Sequence, residues 1–220
     1  MKKNLIYFIY WRPENGMLHF NFQLLKKYIN QFDGKRIIKV AIDDPGLNYH
    51  AVIPSWLNAR IVKNDPEYNE ARHFRDSLTE IGTEGVTFYA HAKGVTRTVN
   101  DPLKWWVELM YKGNLETEPD LTNYIFSGCF GKLRKGSKNV PVPWHYSGTF
   151  YWFQNEQVLS RYVTSRIPSE INNRWFSENF PGWIAKQSEA EFRIYSSGAS
   201  KYNCYSHCFW EQNSHLLHNR

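Results

Sequence analysis

The sequence predicts a single α/β domain with a mostly parallel central sheet flanked by helices, and three observations carry that expectation. Leu5 to Trp11 is an unbroken β-branched and aromatic run without polar alternation, the pattern of a strand buried on both faces. An amphipathic segment and a second apolar run follow it; strand, helix, strand implies a parallel pair. The 220 residues, 42% of them hydrophobic, suffice for one large core without disulfides or a structural metal.

Taken in order, Leu5–Trp11 is the first strand, broken by Pro13 and Gly16. Leu18, Phe22, Leu25, Ile29 and Phe32 recur at helical spacing, with His19, Lys26, Lys27, Asn30 and Gln31 on the other faces, until Asp33-Gly34 stops the helix. Arg36–Ile42 is the second strand and Asp43-Asp44-Pro45-Gly46 its turn. Ala59–Val62 is a third strand. Asp65-Pro66-Glu67 opens a helix running to about Gly82, with proline and acidic residues in its first turn. Gly85–Ala90 is the next strand, Pro102 to about Tyr111 a Trp-rich helix, and Leu121 to about Leu133 a weak helix. Ser147–Phe153 is the strongest strand of the second half, and helices follow near 155–165 and 173–186. After Glu191 short strands and loops are expected. No repeat or linker divides the chain, so residues 1–220 are read as one domain, with 1–95 as one half and 96–220 as the other.

Bulk properties exclude several classes. Aromatic residues make up 17% of the chain, too much bulky apolar matter for disorder. Mean hydropathy is −0.59, and the apolar run near the start is far short of the roughly 20 residues that span a bilayer, so no transmembrane segment is expected. Met1-Lys2-Lys3 before that run mimics a leader, yet the run ends in Arg12-Pro13 without a small-residue cleavage site. Three cysteines, Cys129, Cys204 and Cys208, argue against a disulfide framework and for a reducing, cytoplasmic compartment. Cys204, His207 and Cys208 lack the fourth ligand and second paired motif of a zinc site. The net charge of +6 favours anionic partners, and the densest basic cluster, Lys132 to Lys138, reads as a solvated loop.

The phosphate loop G-x-x-x-x-G-K-[ST], the dinucleotide fingerprint G-x-G-x-x-G, H-E-x-x-H and G-x-S-x-G are all absent. What remains are polar residues at the carboxyl ends of strands, where open α/β sheets bind ligands. Tyr10 and Arg12 end the first strand and Asp43 and Asp44 the second. His91 and Lys93 end the strand at 86–90, where Lys93 suits a phosphate and His91 a phosphoryl oxygen or a metal; a turn-capping His and a solvated Lys are the plainer alternative. Arg72 and Arg75 share a helical face and suit a diphosphate, or else pair with Glu70 and Asp76 on a solvated surface. Trp144-His145-Tyr146-Ser147-Gly148-Thr149 and Trp175–Trp183, with Glu178 among its rings, join aromatic faces to polar groups as a sugar cleft does. The alternatives are rings that fill a core and a Glu178 exposed on its helix rather than acting as a base with a raised pKa.

The segments Phe88–Gly94 and Trp144–Phe153, with Trp105 and Met110 between them, resemble a group of small glycosyltransferases. These include bacterial polysaccharide-building enzymes and capsid-decorating enzymes of large DNA viruses of algae. The group carries a strand ending in H-x-K and later an S-G-T-aromatic-W strand followed by a Glu-bearing helix. The resemblance covers roughly residues 85–185 well and the first part in outline. It implies a GT-A-like, Rossmann-like fold, a nucleoside-diphosphate sugar as donor, His91 and Lys93 near the diphosphate, Ser147, Gly148 and Thr149 along the sugar and acceptor region, and Glu178 as base or acceptor ligand. Most GT-A enzymes hold Mn²⁺ with Asp-x-Asp; this chain has none, and His91-x-Lys93 stands in its place, so the expectation is either that Lys93 with Arg72 or Arg75 stabilises the leaving diphosphate without metal, or that a single carboxylate with His91 or His207 binds Mn²⁺ weakly.

The combined expectation is transfer of a hexosyl or deoxyhexosyl group, from UDP foremost, to a glycan or glycoprotein hydroxyl. In that scheme Tyr10, Arg12, Asp43 and Asp44 recognise the nucleoside. His91, Lys93, Arg72 and Arg75 hold the diphosphate, His145, Ser147, Gly148 and Thr149 hold the sugar, and Glu178 activates the acceptor. The aromatic clusters at 144–153 and 175–183 line the cleft, and no stable nucleic-acid partner is expected. The rivals are a single-stranded nucleic-acid binder, which basic charge with interleaved aromatics also fits, and a sugar-binding module without catalysis.

Overall fold

The computed structural model describes residues 1–43, 53–68, 70–133, 142–168 and 171–195. These residues form eight strands, β1 Lys3–Tyr10, β2 Arg36–Ile42, β3 Arg60–Lys63, β4 Val86–His91, β5 Phe126–Leu133, β6 Trp144–Tyr146, β7 Tyr151–Gln154 and β8 Ala190–Tyr195. The α-helices among them are α1 Gly16–Tyr28, α2 Glu70–Ile81, α3 Asp101–Leu115, α4 Asn155–Thr164 and α5 Phe176–Ile184. None is long and apolar enough to cross a membrane.

All strands join one sheet in the order β3-β2-β1-β4-β7-β5-β6, with β8 also on β5. The first four positions are parallel, pairing Leu5 with Arg36 and Phe88, and Lys39 with Arg60. β7 runs antiparallel to both β4 and β5. The fold is thus the mixed α/β domain that the sequence predicts. Period-two alternation divides its core. Leu5, Tyr7 and Ile9 pack with Phe88 and Trp152 against α1 and α3 on one face. Ile6, Tyr89, Tyr151 and Phe126 pack against α2, α4 and α5 on the other. Burying a side chain of this size contributes about 1.5–3 kcal/mol.

Three elements differ from expectation. The weak helix at Leu121–Leu133 is strand β5. Its glycines are demanded by cross-strand rings, since a Cβ on Gly128 would meet Tyr146 at 2.9 Å and one on Gly131 would overlap Phe192. The helix expected from Asp65 begins at Glu70, because the Asp65 carboxylate accepts the Glu67 and Tyr68 N–H groups (both 3.1 Å) and turns the chain first. The strand expected from Ser147 begins at Tyr151, since Ser147–Thr149 is the turn linking β6 to β7.

The aromatic cluster at 144–153 is core rather than cleft lining. Trp144, Tyr146, Phe150, Tyr151, Trp152 and Phe153 are all buried. Each indole N–H in this group donates to a main-chain carbonyl: Trp144 to Ala185 (3.0 Å) and Trp152 to Asn114 (2.8 Å). Asp44, the basic segment beyond Leu133, and Cys204, His207 and Cys208 lie outside the described residues.

Candidate active site

From β1 the chain builds outward to β2 and β3, then returns to place β4 on the other side of β1. This reversal opens a crevice beyond the carboxyl ends of β1 and β4, the place where parallel sheets bind ligands. A cleft with about 950 Å³ of empty space, open to solvent, occupies it. Phe8 and Tyr10 from β1, His91 from β4, the following residues Lys93–Arg97, Thr149, Glu70 from α2, and Arg174, Trp175, Ser177 and Glu178 at the start of α5 line it.

The backbone of Lys93 is held by a side chain. Buried Asn21, on α1, accepts from the Lys93 N–H (3.1 Å) and donates to the Lys93 carbonyl (2.9 Å). Its amide also donates to Met17 O (2.7 Å). Asn21 thereby supplies the pairing that β4 has lost where it leaves the sheet. The Tyr7 and Tyr111 hydroxyls, 2.5 Å apart, lie beside it. The Lys93 ammonium stands 5.1 Å from the Trp106 ring centre.

His91 Nδ1 is 3.0 Å from the Glu70 carboxylate, whose other oxygen accepts from Ser177 Oγ (2.6 Å). Burial alone would raise the Glu70 carboxyl; His91, Ser177 and Lys93 together outweigh it and hold it at about 2. A carboxyl so depressed adds stability that is complete above about pH 4.5 and is lost as the pH falls toward about 2. Glu70→Gln is expected to cost about 2–3 kcal/mol at neutral pH and to flatten the acid limb of stability across that window, measured by urea unfolding at each pH. An acid limb identical to the wild type would mean that Glu70 is not held this way.

Next to Ser177 on α5, Glu178 Oε1 lies 3.2 Å from Nε2 of the buried His145. This contact ties α5 to β6. The turn after β6 is tightly specified. Gly148 has φ +93° and abuts α3, so a Cβ there would overlap Met110 Sδ and stand 3.1 Å from Trp106. Thr149 follows at φ +64°, a left-handed conformation unfavourable for a β-branched residue, and lines the cleft. Strain of this kind is retained where the surrounding structure over-determines it, most often at functional sites.

Among the residues expected at the nucleoside end, Tyr10 lines the cleft, while Arg12 and Asp43 form a cluster with it. Tyr10 Oη donates to Asp43 (3.0 and 3.1 Å), Arg12 pairs with Asp43 (2.8 Å), and Asn64 donates to it (3.0 Å). The Arg12 hydrogen bond chiefly holds the Asp43 carboxyl below its usual range. Ser147, Gly148 and His145 stand behind Thr149 rather than on the cleft surface.

The expected diphosphate clamp of Arg72 and Arg75 does not form in the cleft. Arg72 pairs with Asp65 (2.8 Å), Arg75 donates to Asn172 (2.6 Å), and both guanidinium groups lie over Tyr68. Neither guanidinium is part of the cleft lining. In their place the structure brings Arg97 and Arg174 to the cleft, together with Glu70 and Ser177. Asn21 and Glu70 carried no legible signal, being single polar residues in amphipathic helices. Arg174 and Trp175 carried one, a cation beside an aromatic ring just before Glu178.

Among the described residues no three His, Cys, Asp or Glu side chains converge on a metal position. The cleft's two carboxylates each face a different imidazole. The described part of the cleft therefore gathers no Asp-x-Asp-like ligand set for Mn²⁺.

No family model and no curated protein matches the chain. Solved structures similar to it include a 4-diphosphocytidyl-2C-methyl-D-erythritol synthase (TM-score 0.45, 10% identity, 99% of each chain covered). Another is the CMP:2-keto-3-deoxy-manno-octonic acid synthetase complexed with CTP (TM-score 0.43, 11% identity, 99% of this chain and 100% of that one). A third is a chain described as a nucleotide-diphospho-sugar transferase from Desulfovibrio desulfuricans G20 (TM-score 0.44, 11% identity, 100% of this chain and 98% of that one). At such identities and TM-scores, these likenesses assign the chain neither a reaction nor a substrate.

Proposed function

We propose that the protein transfers a hexosyl or deoxyhexosyl group from a nucleoside-diphosphate sugar, UDP being the first nucleotide to test, to a hydroxyl of a glycan or glycoprotein. One observation carries this reading: a cleft at the sheet's switch point presents Lys93 and Glu178 together, each held by a buried polar side chain, Asn21 and His145. A cation for a leaving diphosphate and a carboxylate for an acceptor proton are what direct glycosyl displacement requires.

In this scheme the acceptor oxygen attacks the anomeric carbon while the bond from that carbon to the diphosphate oxygen breaks. Glu178 takes the acceptor proton, and the Lys93 ammonium compensates charge gathering on the diphosphate. With Nδ1 of His91 turned to Glu70, Nε2 is the nitrogen available to a phosphoryl oxygen. Tyr10 offers a ring and Asp43 a carboxylate for the nucleoside. One displacement with a carboxylate base inverts the anomeric centre.

Thermal unfolding tests the reading directly. UDP at a hundredfold excess over its Kd stabilises by about 2.7 kcal/mol, a rise of roughly 5–10 °C in Tm for a chain of this size. Incubation with UDP- and dTDP-sugars, with and without Mn²⁺, should then release nucleoside diphosphate. No shift with either diphosphate and no release from either sugar set would overturn the proposal.

A further inference from the structure

We infer that Arg174 and Trp175 form the acceptor subsite of this cleft, and that it takes a pyranose ring carrying an anionic substituent, a carboxylate or a phosphate. The inference rests on the proposed role of Glu178 as base. Trp175 is 55% exposed, unlike Trp144, Trp152 and Trp106, which serve the core, and its ring borders the cleft. An indole kept in water beside a polar cleft offers a flat face for the C–H surface of a sugar.

Its position favours the acceptor over the nucleotide. Trp175 caps α5, whose first turn carries Glu178, so ring and carboxylate belong to one turn of chain. Lys93 and Tyr10 reach the cleft from the sheet side, after β4 and at the end of β1. An acceptor hydroxyl delivered to Glu178 therefore brings its own sugar ring to Trp175.

The platform is braced. The Trp175 main-chain N–H donates to Asn173 Oδ1 (2.8 Å), Arg75 holds Asn172 (2.6 Å), and the Arg75 guanidinium stands 5.3 Å from the ring centre of buried Phe176. Arg75 thus acts on the cleft through this segment. The Arg174 guanidinium lies over the Trp175 ring, 4.9 Å from its centre, which orders the fork at the cleft edge. A planar fork of donors pairs with a carboxylate or a phosphate in two-point geometry, while a neutral hydroxyl gains less from it.

The probes are methyl β-D-glucuronide, methyl β-D-glucoside 6-phosphate and neutral methyl β-D-glucoside, titrated by ligand-observed NMR with and without UDP. At least one anionic probe should bind about fivefold tighter than the neutral one, and which of the two does so separates carboxylate from phosphate. Arg174→Gln should remove that preference. Trp175→Ala should weaken every glycoside about tenfold while the UDP Kd moves less than about twofold. Both residues are exposed, so both variants should fold, as circular dichroism will show. Equal binding of the three probes, or a Trp175→Ala variant that loses UDP and keeps glycosides, overturns the inference. Wild-type protein that binds UDP and none of the glycosides removes the subsite and leaves the transfer reaction standing. Wild-type protein that binds glycosides and no nucleoside diphosphate removes the reaction, and with it the acceptor role, and leaves Arg174 and Trp175 as a sugar-binding site only.

Discussion

Lys93→Ala should lower nucleoside-diphosphate release about 10²–10³-fold while leaving the fold intact. The ammonium is a partly exposed group that lines the cleft. Its structural share is the stack on Trp106, worth about 0.5–1 kcal/mol. Its chemical share is larger, because a fixed charge facing charge that develops in the transition state needs no reorganisation. Turnover should therefore fall far more than Tm. Lys93→Arg should recover only part of the rate, since a planar fork does not reproduce a compact ammonium. Release at the wild-type rate from Lys93→Ala, measured with the donor that the wild type uses, would place the diphosphate elsewhere.

The second large effect comes from a residue that never touches ligand. Gly182 lies on α5 where the helix meets β6, and a Cβ there would overlap the Trp144 carbonyl oxygen and stand 3.2 Å from Val142 Cβ. The obstruction is backbone, which no rotamer change relieves, so Gly182→Ala forces α5 outward. Overpacking of this kind costs about 1–3 kcal/mol, which for a chain of this length is roughly 2–12 °C in Tm. Glu178 lies four residues earlier on the same helical face, so the displacement also draws it from His145. Scanning calorimetry should show the fall in Tm, and steady-state kinetics a larger loss in kcat than in donor KM. A variant with unchanged Tm would show that the close approach does not exist.

The two variants probe different levels of legibility. Lys93 stood out in the sequence because a cation three residues beyond an apolar run, and two beyond a His, falls at a strand end. Gly182 did not, because a glycine inside a helix looks like a weakness until the strand it admits is known. The same blindness turned β5 into an expected helix. Phe126–Leu133 carries two glycines and no alternation, and the rings that require those glycines come from β6 and β8. β2, in contrast, was readable to the residue, since Arg36–Ile42 is bounded by turn residues and packed by β-branched side chains.

Local chemistry therefore determined the parallel half of the sheet, the helices that cover it, and the positions of His91, Lys93 and Glu178 along the chain. Periodicity and turn signals act over a few residues and need no partner. The tertiary structure alone decided which polar groups meet. Asn21 reaches Lys93 across 72 residues, Glu70 takes His91 in place of the arginines beside it, and Arg75 turns away from the cleft to brace Asn172. Pairings of that range follow from how strands are ordered and how closely helices pack, and a run of residues records neither. The aromatic content shows the same division: its abundance could be read from the chain, but only packing separated the rings of the core from Trp175 at the rim.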